Sequence, residues 1–314
     1  MEYRNVGRSG LAVSVAGLGC NNFGMRIDKE QTAAVVHRAL ELGVTLFDTA
    51  DIYGGTRSEE FLGAALGDRR KNVVVATKFV GPVGEGPLNR GASRRHVFDA
   101  VENSLRRLGT DWIDLYQIHF PDVTTPIEET LRALDDLVKQ GKVRYIGCSN
   151  FAAWQVVEAQ WTARTEHFVP LISAQSEYSL LNRRIERELV PACQEYELGI
   201  LPYFPLASGF LSGKYRPGEK PPEGTRLAAW GPRGEEVLSE RNFAILGALE
   251  QFAEARGKTV LDVAIGWLAS HPYVPSVIAG ATKPEQVEEN VKAAEWRVTP
   301  EEVSEIDGIT SRRD

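Results

Sequence analysis

The sequence predicts an α/β chain folded as a closed (β/α)8 TIM barrel. Two observations carry this. Eight short apolar runs alternate with amphipathic stretches along the 314 residues. Several of those runs end in an ionisable or polar side chain, at the strand end where such folds keep their chemistry. An open, doubly wound sheet is the alternative. It usually has fewer strands, and no G-x-G-x-x-G follows a first strand; GLGCNNFG at 17–24 is only a weak echo of one.

The elements follow in order. EYRNVGRSGLAVS reads as an opening hairpin turning at Gly10, with residues 1–14 closing the amino-terminal end of the barrel. The eight strand candidates are VAGLGCN, VTLFDTA, NVVVATK, WIDLYQIH, VRYIGCSN, LISAQSEYS, GILPYFPLA and PSVIAGAT. Strands buried on both faces of a parallel sheet look like such continuous apolar runs. Between them KEQTAAVVHRALELG, SRRHVFDAVENSLRRLG, PIEETLRALDDLVKQG and NFAAWQVVEAQWTARTE have helical spacing. Several begin at Pro or a Ser or Asn cap and stop at Gly.

One connection breaks the rhythm. Residues 207–235, after the seventh barrel strand, are rich in Gly, Pro and charge. A loop of that length is usually functional or disordered. Phe210, Leu211, Tyr215, Leu227 and Trp230 give it apolar anchors. It therefore reads as a mobile cover over a bound ligand, loose without it and ordered with it. The whole chain, 1–314, is expected to be one domain.

Composition excludes several function classes. The net charge is −7, which invites neither nucleic acid nor an anionic membrane. The basic clusters DRRK, SRRH and NRRIERE are interleaved with acids and read as solvated helix faces. No apolar run reaches the roughly 18 residues of a membrane span. The polar start MEYRNVGRSG holds no signal-peptide core. Cys20, Cys148 and Cys193 are odd in number and far apart, which suits a reduced, cytoplasmic protein. The five histidines, at 37, 96, 119, 167 and 271, show no metal-ligand spacing, so no metal is expected. No G-x-S-x-G nucleophile elbow is present.

In a barrel the strand ends converge on one mouth. There the sequence places Asp48 with Tyr53, then Lys78, His119, Ser149 with Asn150, Gln175, Tyr203 and Gly280. Each alone has a bland reading as a cap, a packing residue or a solvated charge. Together they make a proton-transfer site. A tyrosine with an ordinary pKa of about 10 is a poor acid at neutral pH, and a nearby ammonium lowers that pKa. Lys78 is placed to supply the ammonium, Asp48 to hold Lys78, and His119 to hydrogen-bond a carbonyl oxygen. Such a site protonates an oxygen while something else attacks carbon, which leaves hydride delivery by a cofactor.

These residues lie in a set of segments that resembles the aldo-keto reductase superfamily, including its bacterial branch and the potassium channel β subunits. The segments are FDTADIYGGTRSEEFLG, VVVATKF, SLRRLGTDWIDLYQIHFPD, VRYIGCSNF, AQSEYSLLNR, PYFPLASGFLSGKY and IAGATKPEQVEEN, in order over nearly the whole chain. The resemblance implies a (β/α)8 barrel that reduces aldehydes and ketones to alcohols. It implies Tyr53 as general acid, tuned by Lys78 and Asp48, with His119 orienting the carbonyl.

It also implies the cofactor contacts. Ser149, Asn150 and Gln175 would bind the nicotinamide carboxamide, and Tyr203 would stack on its ring, with Asp48, Cys20, Asn21 and Phe204 alongside. Pro205, Leu206, Ser208, Gly209 and Lys214 would cross the pyrophosphate. Arg226 would reach the adenosine end. Gly280, Thr282, Lys283, Gln286, Glu289 and Asn290 would cradle the adenosine phosphate. Many mammalian members carry Lys and Arg where Gly280 and Gln286 stand here. Lys283 and Arg226 are then the cations left for a 2′-phosphate. NADP(H) is the expected cofactor, with NAD(H) the alternative. Asn22, Phe23, Phe79, Phe120 and Trp230, with Tyr53 and His119, would wall the carbonyl pocket. The expected partner is a small-molecule carbonyl substrate, in a monomer or homo-oligomer. A nucleotide-binding regulatory subunit of the same fold is the competing reading. The intact tetrad and a hairpin near the start of the chain argue for the enzyme.

Overall fold

The computed structural model describes residues 1–311; the last three residues of the expected 1–314 unit lie outside the described residues. Strands β1 (Tyr3–Asn5) and β2 (Ala12–Ser14) form an antiparallel hairpin. Eight parallel strands follow: β3 (Ala16–Gly19), β4 (Leu46–Asp48), β5 (Val74–Phe79), β6 (Ile113–Ile118), β7 (Val143–Ser149), β8 (Leu171–Glu177), β9 (Gly199–Tyr203) and β10 (Val277–Gly280). Seven fall within one of the eight runs read from the sequence, and β5 passes the end of its run NVVVATK by one residue, Phe79. They pair in the order β10-β3-β4-β5-β6-β7-β8-β9, with helices between them. The result is a (β/α)8 barrel, nearly closed.

The seam lies between β9 and β10, which form no ladder. There the Ile200 N–H donates to the Tyr273 carbonyl at 2.8 Å instead of to a strand. Pro202 on β9 and Pro275 before β10 have no N–H to give, and proline belongs at such ladder edges.

The barrel interior is filled, not hollow. Leu46, Val74, Ala76, Leu115, Leu201 and Ile278 form one buried cluster, and Val6 and Val13 of the hairpin pack under it. Reciprocal bonds of 2.8 Å tie Ser14 and Thr45, so the hairpin is fixed to the start of β4. The turn's demanding glycine is Gly7, not Gly10. Its φ is +56°, and an added Cβ would stand 2.4 Å from the Glu197 carbonyl oxygen, while Gly10 meets nothing. A second, larger core lies between the sheet and the helices.

One basic cluster departs from the solvated-face reading. Arg70, in DRRK, is buried; its guanidinium meets Asp114 at 2.7 Å and the Trp112 carbonyl at 2.8 Å. The sequence pattern of alternating charge hides this, because the partner lies more than forty residues away in β6.

The long segment is not structureless. It holds a tight turn at Ala207–Ser212 and two short helices, Arg226–Ala229 and Pro232–Val237. Phe210, Leu211, Tyr215 and Leu227 are buried.

Candidate active site

The parallel register decides which side chains meet. Lys78 faces Gln117 across β5 and β6, and Ser149 faces Gln175 across β7 and β8. Lys78 is fully buried, and its Nζ donates to Asp48 Oδ2 and to the Thr49 carbonyl, both at 2.7 Å. Gln175 donates to the other Asp48 oxygen at 2.8 Å, and Gln117 to the same oxygen at 3.3 Å. Asp48 is thus saturated on both oxygens by strand-end donors. The Lys78 ammonium lies 5.1 Å from the centre of the Tyr53 ring. The Tyr53 and His119 rings meet edge to face at 5.7 Å, and Phe120 stacks on His119 at 4.2 Å.

The electrostatics refine the tuning idea. Burial opposes the Lys78 ammonium, but the Asp48 carboxylate and the Tyr53 hydroxyl outweigh it, and the Lys78 pKa is raised. Burial also pushes the Tyr53 phenol up, and Lys78 is the largest influence pulling it down. The net shift is upward, opposite to the expected lowering: in this site Lys78 limits the effect of burial without reversing it. Burial, then the Lys78 charge, pushes His119 down to about 3, so its ring is neutral at physiological pH. A neutral imidazole carries one N–H, which suits a hydrogen bond to a carbonyl oxygen.

These groups open into a cavity of about 580 Å³. Its walls include Asp48, Tyr53, His119, Ser149, Asn150, Gln175 and Tyr203. Asn150 sits at φ +61°, and its amide donates to the His119 carbonyl and to Ser149 Oγ, both at 3.0 Å. The Tyr203 hydroxyl donates to Asn150 Oδ1 at 2.8 Å. Beyond β9 the backbone is left-handed at Phe204, Ala207 and Ser208, and again at Gly209. Each such non-glycine costs about 1–3 kcal/mol and persists where a site demands it.

Most remaining candidates line the same cavity, among them Cys20, Asn21, Asn22, Phe204, Pro205, Leu206, Ser208, Gly209, Lys214 and Arg226. Gly280, Thr282, Gln286, Glu289 and Asn290 line it as well, with Gln286 accepting from the Thr282 N–H at 2.7 Å. Four do not fit the expectation, Trp230 among them. Phe23 and Phe79 are fully buried in the outer core and do not face the cavity; Phe79 packs on Tyr116 at 4.8 Å. Lys283 is exposed at the start of helix Pro284–Ala294, off the cavity wall. Phe120 and Asn22 do line it, whereas Trp230 stands off the wall and packs near Phe204 at 5.8 Å.

The sequence reading missed two contributors. Gln117 is a polar residue inside an apolar strand run, and that interruption was a usable signal. Arg26 had no signal, being one charge in a polar loop. It lines the cavity with Lys214 and Arg226. Burial, then the neighbouring Arg26 charge, pushes both Lys214 and Arg226 down. Among the described residues, no carboxylate forms an ion pair with any of the three. Arg226 instead reaches Asn22 Oδ1 at 3.3 Å and stacks on Phe204 at 4.8 Å. Crowded, unpaired cations on a cavity wall are what a phosphate-bearing cofactor would neutralise.

A nearly closed (β/α)8 barrel with an acid, a phenol, an amine and an imidazole at its mouth defines a barrel oxidoreductase architecture. The comparisons make this specific. Residues 16–311 match the sequence model of the Aldo/keto reductase family. The chain is 38% identical to a probable voltage-gated potassium channel subunit beta of Oryza sativa subsp. japonica, over 100% of this chain and 98% of the relative. It is 38% identical to the uncharacterized oxidoreductase YrpG of Bacillus subtilis (strain 168), over 94% and 91%. It is 34% identical to versiconal hemiacetal acetate reductase of Aspergillus parasiticus, over 98% and 96%. The chain belongs to the aldo/keto reductase family.

Proposed function

We propose that this chain is an NADP(H)-dependent reductase that converts aldehydes or ketones to alcohols, with Tyr53 as the general acid. The observation that supports it most is the buried Asp48–Lys78 pair set against the Tyr53 phenol, with a neutral His119 ring on the same cavity wall. The nicotinamide cofactor, when bound, supplies the hydride. Tyr53 gives its proton to the carbonyl oxygen, which needs the phenol neutral in the resting site, as its raised pKa keeps it. The Lys78 ammonium stabilises the phenolate left behind, and Asp48 keeps that ammonium charged and in place. The His119 N–H orients the carbonyl. Arg26, Lys214 and Arg226 hold cofactor phosphates, and Asn150 and Gln175 with Ser149 hold the carboxamide end.

A regulatory role for the same nucleotide-binding barrel is the second reading. It rests on the relative named as a potassium channel subunit. One assay separates the two: loss of NADPH absorbance with 4-nitrobenzaldehyde, repeated across a panel of aldehydes and ketones. Turnover supports the reductase. Tight NADPH binding without turnover on any carbonyl supports the regulatory subunit.

A further inference from the structure

Asp51 lies three residues after Asp48 and two before Tyr53, and the reaction above does not use it. Its side chain is fully buried, no side chain hydrogen-bonds either carboxyl oxygen, and the adjacent Ile52 backbone N–H exerts only a minor pull toward ionisation. Its backbone N–H donates to the Lys78 carbonyl at 3.2 Å. The groups facing it come from every neighbouring element. Helix Arg57–Leu66 brings the Glu59 carboxylate, helix Arg94–Leu108 brings Arg107, and β5 brings Lys78. Strand β6 brings Tyr116, whose buried hydroxyl also lacks a partner.

The cations in this cluster are already engaged. Arg107 Nε donates to Glu59 at 2.6 Å, and Thr77 Oγ1 donates to the other Glu59 oxygen at 2.6 Å. Lys78 is spent on Asp48. Asp51 therefore has no counter-charge, and a buried carboxyl in that position takes up a proton instead. Burial and then the Glu59 charge push it up to about 8.

We propose that Asp51 is a positioning residue that carries a proton at neutral pH, so that no second carboxylate charge acts on Lys78 and the ammonium acts on Asp48 and Tyr53 alone. Ionised, Asp51 would add a second carboxylate charge acting on Lys78. The ammonium would then stabilise the Tyr53 phenolate less, and Tyr53 would be a weaker acid. The effect on rate rests on the reductase reading; the protonation state does not.

The sign for stability follows from the same shift. The folded protein binds the Asp51 proton more tightly than the unfolded chain does. This contribution to stability is fully present below the unfolded pKa of 3.8 and is lost as pH rises through about 8. Asp51→Asn, which keeps the shape, should remove that slope. Near pH 6, unfolding of the wild type should release about one proton more than unfolding of the variant. The wild-type infrared spectrum at that pH should hold a carboxylic acid carbonyl stretch that disappears near pH 9 to 10 and is missing from the variant. In wild type kcat/KM should fall up to about tenfold from pH 7 to pH 9, and less in the variant. Absence of the acid band in wild type, which needs no variant to fold, overturns the proposal. A band with identical pH–rate profiles in both proteins overturns the positioning role. An enzyme inactive at every pH, with the band present, overturns the reductase reading and the rate effect with it.

Discussion

Tyr53 is held as a phenol by burial, and Lys78 is the main group working against that. Replacing Tyr53 by Phe removes the proton donor and leaves the ring packing on His119 in place. General acids contribute about 10²–10⁴-fold. Carbonyl reduction by Tyr53→Phe should therefore fall at least 10²-fold, while the dissociation constant for NADPH stays nearly unchanged. A variant keeping more than about a tenth of wild-type turnover would remove Tyr53 from the acid role, since the lower bound for such a group is larger. Lys78→Met should be as damaging to rate, but for two reasons. It deprives the phenolate of its cation and strands the buried Asp48 carboxylate. Breaking a buried pair in this way costs about 3–5 kcal/mol, so thermal unfolding must be measured beside kinetics for this variant. Asp48, Lys78 and His119 were legible because each ends an apolar run, and a polar side chain there is conspicuous. Phe23 and Phe79 were misread as pocket walls because an aromatic next to a site residue looks the same whether it points to the mouth or to the helices. The strand alternates its faces, and the sequence alone does not say which face Phe79 takes when both are buried.

The elements differ in how much of them the residues announced. The eight strands and four helices were readable because their apolar pattern agrees with tertiary packing; of the caps, Ser93 accepts from the His96 N–H as read, whereas the helix after β7 begins past Asn150, at Ala153. The segment 207–235 was readable only in its length and composition. Its anchors Phe210, Leu211, Tyr215 and Leu227 are buried, so the cover is pinned at its base. Its polar stretch around 216–225 is mostly exposed and is the part expected to move. There Arg26 meets the Gly224 carbonyl and Arg226 reaches Asn22, which ties the segment across the mouth to the loop after β3. Hydrogen exchange should therefore be slow at Phe210–Tyr215 with or without NADP⁺, and slow at 216–226 only with it. Equal protection of that tip in both states would make the strap static. The same tip carries the charge argument. Charge-assisted hydrogen bonds contribute about 1.5–3 kcal/mol, so Arg26→Ala and Arg226→Ala should each weaken NADPH binding roughly tenfold or more. Lys283→Ala should change it little, because Lys283 stands off the cavity wall. Fluorescence titration of NADPH and NADH against the three variants decides which cation reads the 2′-phosphate. A loss for Lys283→Ala equal to that of Arg26→Ala would restore the assignment made from sequence alone.

Across the whole molecule the barrel separates stability from chemistry along its axis. Side chains at the carboxyl ends of the strands make the cavity, while the hairpin and the first residues of the strands make the floor. Val6 and Val13 pack into the inner cluster of Leu46, Val74, Ala76, Leu115, Leu201 and Ile278, of which only Ile278 also lines the cavity. A change there should alter the folding equilibrium and leave the mouth alone. Val13→Ala removes two buried carbon atoms from a fully enclosed position. The transfer loss and the cavity left behind together amount to about 2 kcal/mol, and for a chain of this size that lowers Tm by roughly 2–6 °C. The dissociation constant for NADPH should stay within about twofold, because mutational effects at sites more than roughly 7–10 Å apart are usually independent. Calorimetry and cofactor titration on the same sample test both halves. A Val13→Ala protein with wild-type Tm would mean that the hairpin is a loose flap and does not close the floor. One with weakened cofactor binding would mean that the inner cluster transmits strain along the strands to Asp48 and Lys78, and that floor and mouth are one cooperative unit.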